Sequence, residues 1–264
     1  LRLVQPHLGD VGGAILTLLV VLVIQDRFTV RPEMVSFPIL VGLLSVLGFA
    51  RTREGRGLWL LVPLMVIWVN VHGLFVIGVF AILCAYAFAP SRKLGLWGLA
   101  AIAAVIVNPF GLSGVLLPAK LFTLIDKASP ALQAIAEFRS PFASDAVGLG
   151  LATYKLLLIL GGVSVLAAFA LNVRDRRVDG GRALRAELCG VAFFAGLAAL
   201  SLIARRNTAL FALGASPVIA RSVASIAGRA YPTFDRRVGG KGIRSGIAFA
   251  AVGKRHRDRR CRVV

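Results

Sequence analysis

Residues 150–172 read GLATYKLLLILGGVSVLAAFALN, and residues 173–177 continue VRDRR. The first string carries one charge, Lys155, close to its start. It is long enough for a helix to cross a bilayer core, which takes about 20 mostly apolar residues. The second string is a short basic block of the kind retained on the cytoplasmic side during insertion. An apolar run closed by arginines therefore reads as one membrane span with its sidedness written at its end.

The pattern recurs along the chain. Runs at 11–25, 34–50, 58–72, 74–89, 94–109, 187–204 and 208–226 join 150–172, which predicts an all-α polytopic transmembrane helix bundle of seven or eight helices. Several runs are short: 15 helical residues cover only about 23 Å. Their ends must bring polar residues against protein or a wet cavity, or the bilayer must thin around them.

Composition agrees with that reading. The 264 residues are 58% hydrophobic and 16% charged, with a mean hydropathy of +0.82. A water-soluble domain of this size needs more charge to cover its surface. The net charge of +19 raises nucleic-acid binding as an option. The basic residues, however, sit in short gaps between apolar runs and in the last tail, leaving no aqueous surface on which to display a nucleic-acid patch. Lipid bilayer, and no nucleic acid, is the expected partner. Cys84 and Cys189 lie within apolar runs and Cys261 in the tail, so neither a disulfide framework nor a zinc set is indicated. The chain opens at Leu1 with no basic segment and cleavage site around its first apolar run, which reads as a fragment of a longer protein rather than a signal peptide.

The loops assign sides. Arg51, Arg53 and Arg56, then Arg92 and Lys93, then Arg174, Arg176, Arg177, Arg182 and Arg185, and finally the basic tail occupy every second connection. The positive-inside rule makes these cytoplasmic. Connections 26–33, 73, 110–149 and 205–207 are then external, on the periplasmic or extracellular face of an inner membrane. Trp59 and Trp97 would anchor spans at the inner interface and Trp68 at the outer. In the long external stretch 110–149, apolar residues from Leu112 to Ile125 recur at helical spacing, which predicts an amphipathic helix on the outer leaflet, interrupted at Pro118. Residues 1–227 form the membrane domain, and 228–264 read as a basic, disordered cytoplasmic tail or as an arm drawn to anionic lipid.

The unusual polar residues gather on the external side. Asp26-Arg27-Phe28-Thr29-Val30-Arg31-Pro32-Glu33 joins the first two runs. Pro32 and Glu33 suit a helix start; equally, two arginines beside two carboxylates suit holding a phosphate and deprotonating a hydroxyl. Asn70 and His72 close the third run ahead of Gly73, either satisfying a tight helical hairpin or facing a ligand. Asn108-Pro109-Phe110-Gly111 reads first as a stop and turn. Glu137-Phe138-Arg139-Ser140-Pro141 holds either a surface ion pair or a ligand contact. Arg205-Arg206-Asn207 places two arginines at an outer boundary, where they must snorkel or meet an anion. No GxxxxGK[ST], HExxH, CxxC or GxSxG motif occurs, so nucleotide hydrolysis, zinc proteolysis and hydrolase chemistry lack a motif. No inverted repeat of the transporter kind is visible.

In this order, Arg31-Pro32-Glu33, Trp68 to Gly73, Asn108 to Gly111, Glu137 to Pro141 and Arg206-Asn207 resemble the later membrane portion of bacterial multi-pass proteins related to type C glycosyltransferases, over residues 20–220. The resemblance implies transfer of a sugar from a polyprenyl-phosphate donor to a glycan or lipid acceptor outside the cytoplasmic membrane, with inversion. A divalent metal ion is compatible with that class, whose usual acidic base or metal ligand falls before this chain's first residue. On this chain the candidates are Glu33, Asp26 and His72 for chemistry, and Arg31, Asn70, Glu137, Arg205, Arg206 and Asn207 for substrate. Two other readings use the same groups: a transporter or flippase of an anionic or lipid-linked solute, and a non-catalytic membrane subunit.

Overall fold

The computed structural model describes residues 3–28, 31–52, 55–126, 135–175 and 182–230. Its described residues form a helical bundle without strands: α1 (Gln5–Ile24), α2 (Glu33–Thr52), α3 (Leu61–Val71), α4 (Phe75–Phe88), α5 (Arg92–Ala103), α6 (Gly111–Asp126), α7 (Leu149–Asp175), α8 (Arg182–Ile203) and α9 (Thr208–Ala230). Single 3-10 turns extend α1 at Gln25–Arg27, precede α3 at Leu58–Leu60, extend α5 at Ala104–Ile106, and precede α9 at Arg205–Asn207.

All eight apolar runs are helices, and a ninth, α6, falls where the external loop was expected to carry one. Among the described residues, five helices are long and apolar enough to cross a membrane: α1, α2, α7, α8 and α9. The helices of runs 58–72 and 74–89 are shorter, as their lengths foretold. Several boundaries move: the run expected at 187–204 starts at Arg182 and the one expected at 208–226 ends at Ala230. Helix α1 begins at Gln5 rather than 11, bending at Gly9, whose φ of +70° a residue with a Cβ adopts at a cost. The third helix ends at Val71, so His72 lies outside it in extended conformation. Run 94–109 stops being helical at Ile106, and α6 leaves it at a bend of 94°.

Pro118 does not interrupt α6, contrary to the expected break. An internal proline loses one backbone hydrogen bond and crowds the preceding turn, yet here its ring also packs close to Gly73, where a methyl would meet Pro118 Cγ at 3.5 Å. Trp68 is likewise not an interfacial anchor: it is fully buried in the bundle. The expected tail is helical through Ala230, as the end of α9, and residues 231–264 lie outside the described residues.

Helix α9 is the centre of one half of the bundle, packed by α1, α7 and α8. Among its buried residues, Ala209, Ala212, Ala215 and Ala220 are small and let neighbouring backbones approach, between the larger Leu210, Phe211 and Ile219. Gly161 of α7 and Gly214 of α9 take this to its limit. A Cβ on Gly161 would lie 2.7 Å from Ile219, and one on Gly214 would lie 2.5 Å from Leu197. The other half is α2, α3, α4 and α5, joined to the first through α4 against α8 and α2 against α9. Outward faces stay apolar: Leu156, Ile159, Leu160, Val163 and Leu166 of α7 are all more than 45% exposed. A surface of that kind fits a bilayer rather than water.

The two ends of the bundle differ. At one, Gly55 sits against the Lys93 side chain, and Arg229 donates to Asn172 at 2.9 Å. The other gathers the connections α1–α2, α3–α4, α5–α7 and α8–α9.

Candidate functional site

Four connections far apart in sequence meet at that second end because each follows a helix that ends there. Arg27, mostly buried in the turn after α1, reaches Glu33 at 3.4 Å and Glu137 at 3.3 Å. Arg31 donates to both oxygens of Glu137, at 2.6 and 2.8 Å. One carboxylate from the long loop is thus held by two arginines of the first connection. Burial pushes the Glu137 carboxyl up, but hydrogen bonds from Arg31 and Arg27 outweigh it and hold the group below its ordinary value.

A second clasp fixes the same loop to the α8–α9 connection. The Arg205 guanidinium binds Asp145 and also donates to the Ser140 carbonyl at 3.3 Å. The Arg205 amide donates to the Arg139 carbonyl at 2.9 Å, and Arg139 reaches Asp145 at 2.8 Å. Hydrogen bonding from Arg205 and the charge of Arg139 hold the Asp145 carboxyl low.

Arg206 differs from its neighbour. Among the described residues it has no carboxylate within ion-pair distance; its guanidinium lies over the Phe138 ring, 4.7 Å from the centroid. A cation on an aromatic face keeps its donor edge available. Burial lowers the Arg206 pKa, with Glu33 and Glu137 opposing. Arg206, Glu33, His72, Phe37, Leu74, Asn207 and Leu210 line a cavity of about 40 Å³. That is room for roughly three waters, the scale of an oxyanion head and not of a sugar. A larger cavity of about 180 Å³ lies beside Arg27, Glu137, Arg205, Thr208 and Leu151. Arg27 lines the larger cavity and pairs with Glu33 of the smaller, so the two adjoin across that ion pair.

His72 is placed by its own turn and by a buried chain behind it. Its amide caps α3 by donating to the Trp68 carbonyl at 2.9 Å. Trp68 Nε1 donates to Ser36 Oγ at 3.0 Å, and Ser36 Oγ lies 3.3 Å from His72 Nδ1. Desolvation lowers the His72 pKa, Glu33 raises it and Arg206 lowers it again.

The nine candidates therefore separate by what holds them. Glu33, His72, Arg206 and Asn207 line one cavity. Arg31, Glu137 and Arg205 are bound to protein partners and hold the loop. Asn70 donates to the carbonyls of Val66 and Val107, both at 2.8 Å, tying α3 to the end of the α5 extension. Asn207 donates to the Leu200 carbonyl at 2.9 Å, closing the α8–α9 turn. Asp26 falls in the 3-10 turn after α1, and its side chain lies outside the described residues. Asn108 behaves as a turn residue: it donates to the Val105 and Gly111 carbonyls and accepts from the Phe110 amide. Arg27, Ser36, Phe138 and Asp145 were not candidates. Arg27 and Phe138 stood inside quoted motifs; nothing in the local pattern marks Ser36 or Asp145. Among the described residues no group of three His, Cys, Asp or Glu side chains is placed to hold a metal ion. Comparison with protein families, curated proteins and solved structures gives no match for this chain.

Proposed function

We propose that this chain is the membrane portion of a type C-like glycosyltransferase that grips the phosphate of a polyprenyl-linked sugar at the outer, periplasmic face of the inner membrane. The observation that supports this reading is the cavity shared by Arg206, His72 and Glu33. It offers an arginine with no bound carboxylate among the described residues, a histidine and an acceptor carboxylate, on three separate connections. An oxyanion carrying a neighbouring hydroxyl matches that set.

In the transfer, the acceptor oxygen bonds to the anomeric carbon as the bond to the phosphate oxygen breaks on the opposite face. The electron pair stays with the departing polyprenyl phosphate, and the acceptor proton passes to a carboxylate. Arg206 meets the charge that grows on the phosphate, where a fixed cation lowers the barrier most. Glu33 and Asp26 are this chain's candidates for that proton. The sugar lies in the larger cavity beside Arg27 and Glu137. Glu137 and Arg205 line that larger cavity, and Arg31 holds Glu137 in place.

The test is transfer from a radiolabelled polyprenyl-phosphate sugar by the protein in nanodiscs, with Arg206→Ala and Glu33→Gln beside wild type. Product formation lost in both variants supports the reading. Movement of the labelled lipid between leaflets without product would favour a flippase. Neither activity, with copurification of a catalytic partner, would favour a subunit.

A further inference from the structure

The hydrogen-bond chain behind His72 fixes what that residue can do. Trp68 and Ser36 are both fully buried, so each polar hydrogen needs a partner inside the protein. Indole Nε1–H is a donor and nothing else. Ser36 Oγ must therefore accept from Trp68, at 3.0 Å. That leaves the Ser36 hydroxyl hydrogen to be placed. Among the described residues the one acceptor recorded for it is His72 Nδ1, at 3.3 Å. A neutral imidazole carries one hydrogen on one nitrogen.

We infer that Ser36, set by Trp68, holds neutral His72 as the tautomer protonated on Nε2, so that the ring presents a hydrogen-bond donor, not a base, to the cavity it shares with Arg206 and Glu33. Ser36 and Trp68 are positioning residues; neither lines the cavity. The opposite tautomer would turn Nδ1–H toward Ser36 Oγ and strand the serine hydrogen in a dry interior, at the cost of about one hydrogen bond. The lowered affinity of His72 for a second proton fits a neutral ring. The consequence for catalysis rests on the phosphate reading above: Nε2–H and Arg206 become two donors for one oxyanion, and Glu33 is left as the proton acceptor. The tautomer itself does not rest on it.

The experiment is nitrogen-15 NMR of histidine-labelled full chain in nanodiscs at neutral pH. The sequence has three histidines, at 7, 72 and 256, so His72→Gln identifies the signal. Wild type should show His72 with bare Nδ1 and protonated Nε2, in about tenfold excess over the other tautomer. Ser36→Ala should bring the ratio down toward that of free histidine, in which Nε2–H is only modestly favoured. Trp68→Phe, which removes the donor that fixes the Ser36 hydroxyl, lets that hydroxyl turn from Nδ1 toward a carbonyl of its own helix and should move the ratio the same way. His72 protonated on Nδ1 in wild type would overturn the inference, as would an unchanged ratio in Ser36→Ala; if that variant fails to fold, a wild-type ratio no larger than that of free histidine overturns it. Titration with inorganic phosphate and with dodecyl phosphate then separates the two claims. The expected tautomer with an unmoved Nε2 signal upholds the inference and removes the phosphate reading.

Discussion

Arg205 and Arg206 are adjacent in sequence and opposite in role. Arg205 is bound to Asp145 and to the Ser140 carbonyl, whereas Arg206 lies on the Phe138 ring and lines the cavity with Glu33 and His72. The 3-10 turn Arg205–Asn207 sends consecutive side chains in different directions, which is how one doublet serves both the scaffold and the site.

Binding should split the pair accordingly. Arg206→Ala should weaken binding of dodecyl phosphate by tenfold or more, the scale of losing a charge-assisted hydrogen bond of about 1.5–3 kcal/mol, with thermal stability near wild type. Arg206→Lys should recover part of the loss, because an ammonium supplies charge without the planar fork. Arg205→Ala should do the reverse, lowering the melting temperature while affecting binding only through loosening of the loop. Calorimetric titration and a thermal melt in the same nanodiscs distinguish the outcomes. Equal loss of phosphate binding in Arg205→Ala and Arg206→Ala, at unchanged stability, would undo the division.

The Glu137 clasp makes loop docking acid-sensitive. Its carboxyl sits below the ordinary glutamate value of 4.5 because Arg31 and Arg27 bind the ionised form more strongly than burial opposes it. A depressed carboxyl contributes stability in full above its ordinary value and loses it as pH falls through the lowered one. Protection factors at residues 135–145, with the intrinsic pH dependence of exchange divided out, should therefore be uniform from neutral pH to the ordinary value and fall below it. Glu137→Gln should raise exchange at neutral pH and flatten much of the acid response. The residue pairs at the bundle surface, so the effect is local release of the loop and not global unfolding.

Helix packing around Gly78 bears on the site through Trp68. A Cβ there would lie 2.7 Å from Met65 Sδ, 2.8 Å from Trp68 Cζ3 and 3.1 Å from Leu43. Trp68 cannot yield without breaking its bond to Ser36. Gly78→Val should cost about 1–3 kcal/mol by overpacking and should shift the His72 signal even though residue 78 is remote from the cavity. Gly48→Ala, where a Cβ would meet nothing within 4 Å, is the matched control. A Gly78→Val protein as stable as the control would show that α3 and α4 separate more readily than this packing allows.

What could be read in the sequence follows from what is local. Apolar runs define helices because every backbone group in lipid must be satisfied within its own segment, so all eight runs appear as helices with ends moved by a few residues. Trp68 was misjudged because α3 is apolar on every side, leaving no periodicity to separate a buried face from an exposed one. Pro118 was misjudged because the contact with Gly73 that accompanies its helix is tertiary. The site was half legible. Glu33, His72 and Arg206 stood out as polar residues at the ends of apolar runs, and they share a cavity. Which arginine lacks a carboxylate among the described residues was not legible, because that depends on Asp145 reaching Arg205 across 60 residues and on Phe138 meeting Arg206.

Helix α6 supplies a geometric test of how the bundle sits in a bilayer. It leaves the α5 extension at 94°, so if α5 runs across the membrane α6 must run along its surface. Phe110, Leu112, Leu116 and Leu117 are all at least 45% exposed, an apolar face of the sort that settles at the headgroup boundary. A spin label or bimane at 116 or 117 should be quenched by lipids brominated near the headgroup and much less by lipids brominated near the chain end. Thiol reagent added from outside should reach cysteines placed at 31 and 139 but not one at 56, as the proposed external placement of the polar end requires. Deep quenching at 116 would instead make α5 and α6 a re-entrant pair, and labelling at 56 without 31 would turn the bundle over and place the cavity of Arg206, Glu33 and His72 on the cytoplasmic face.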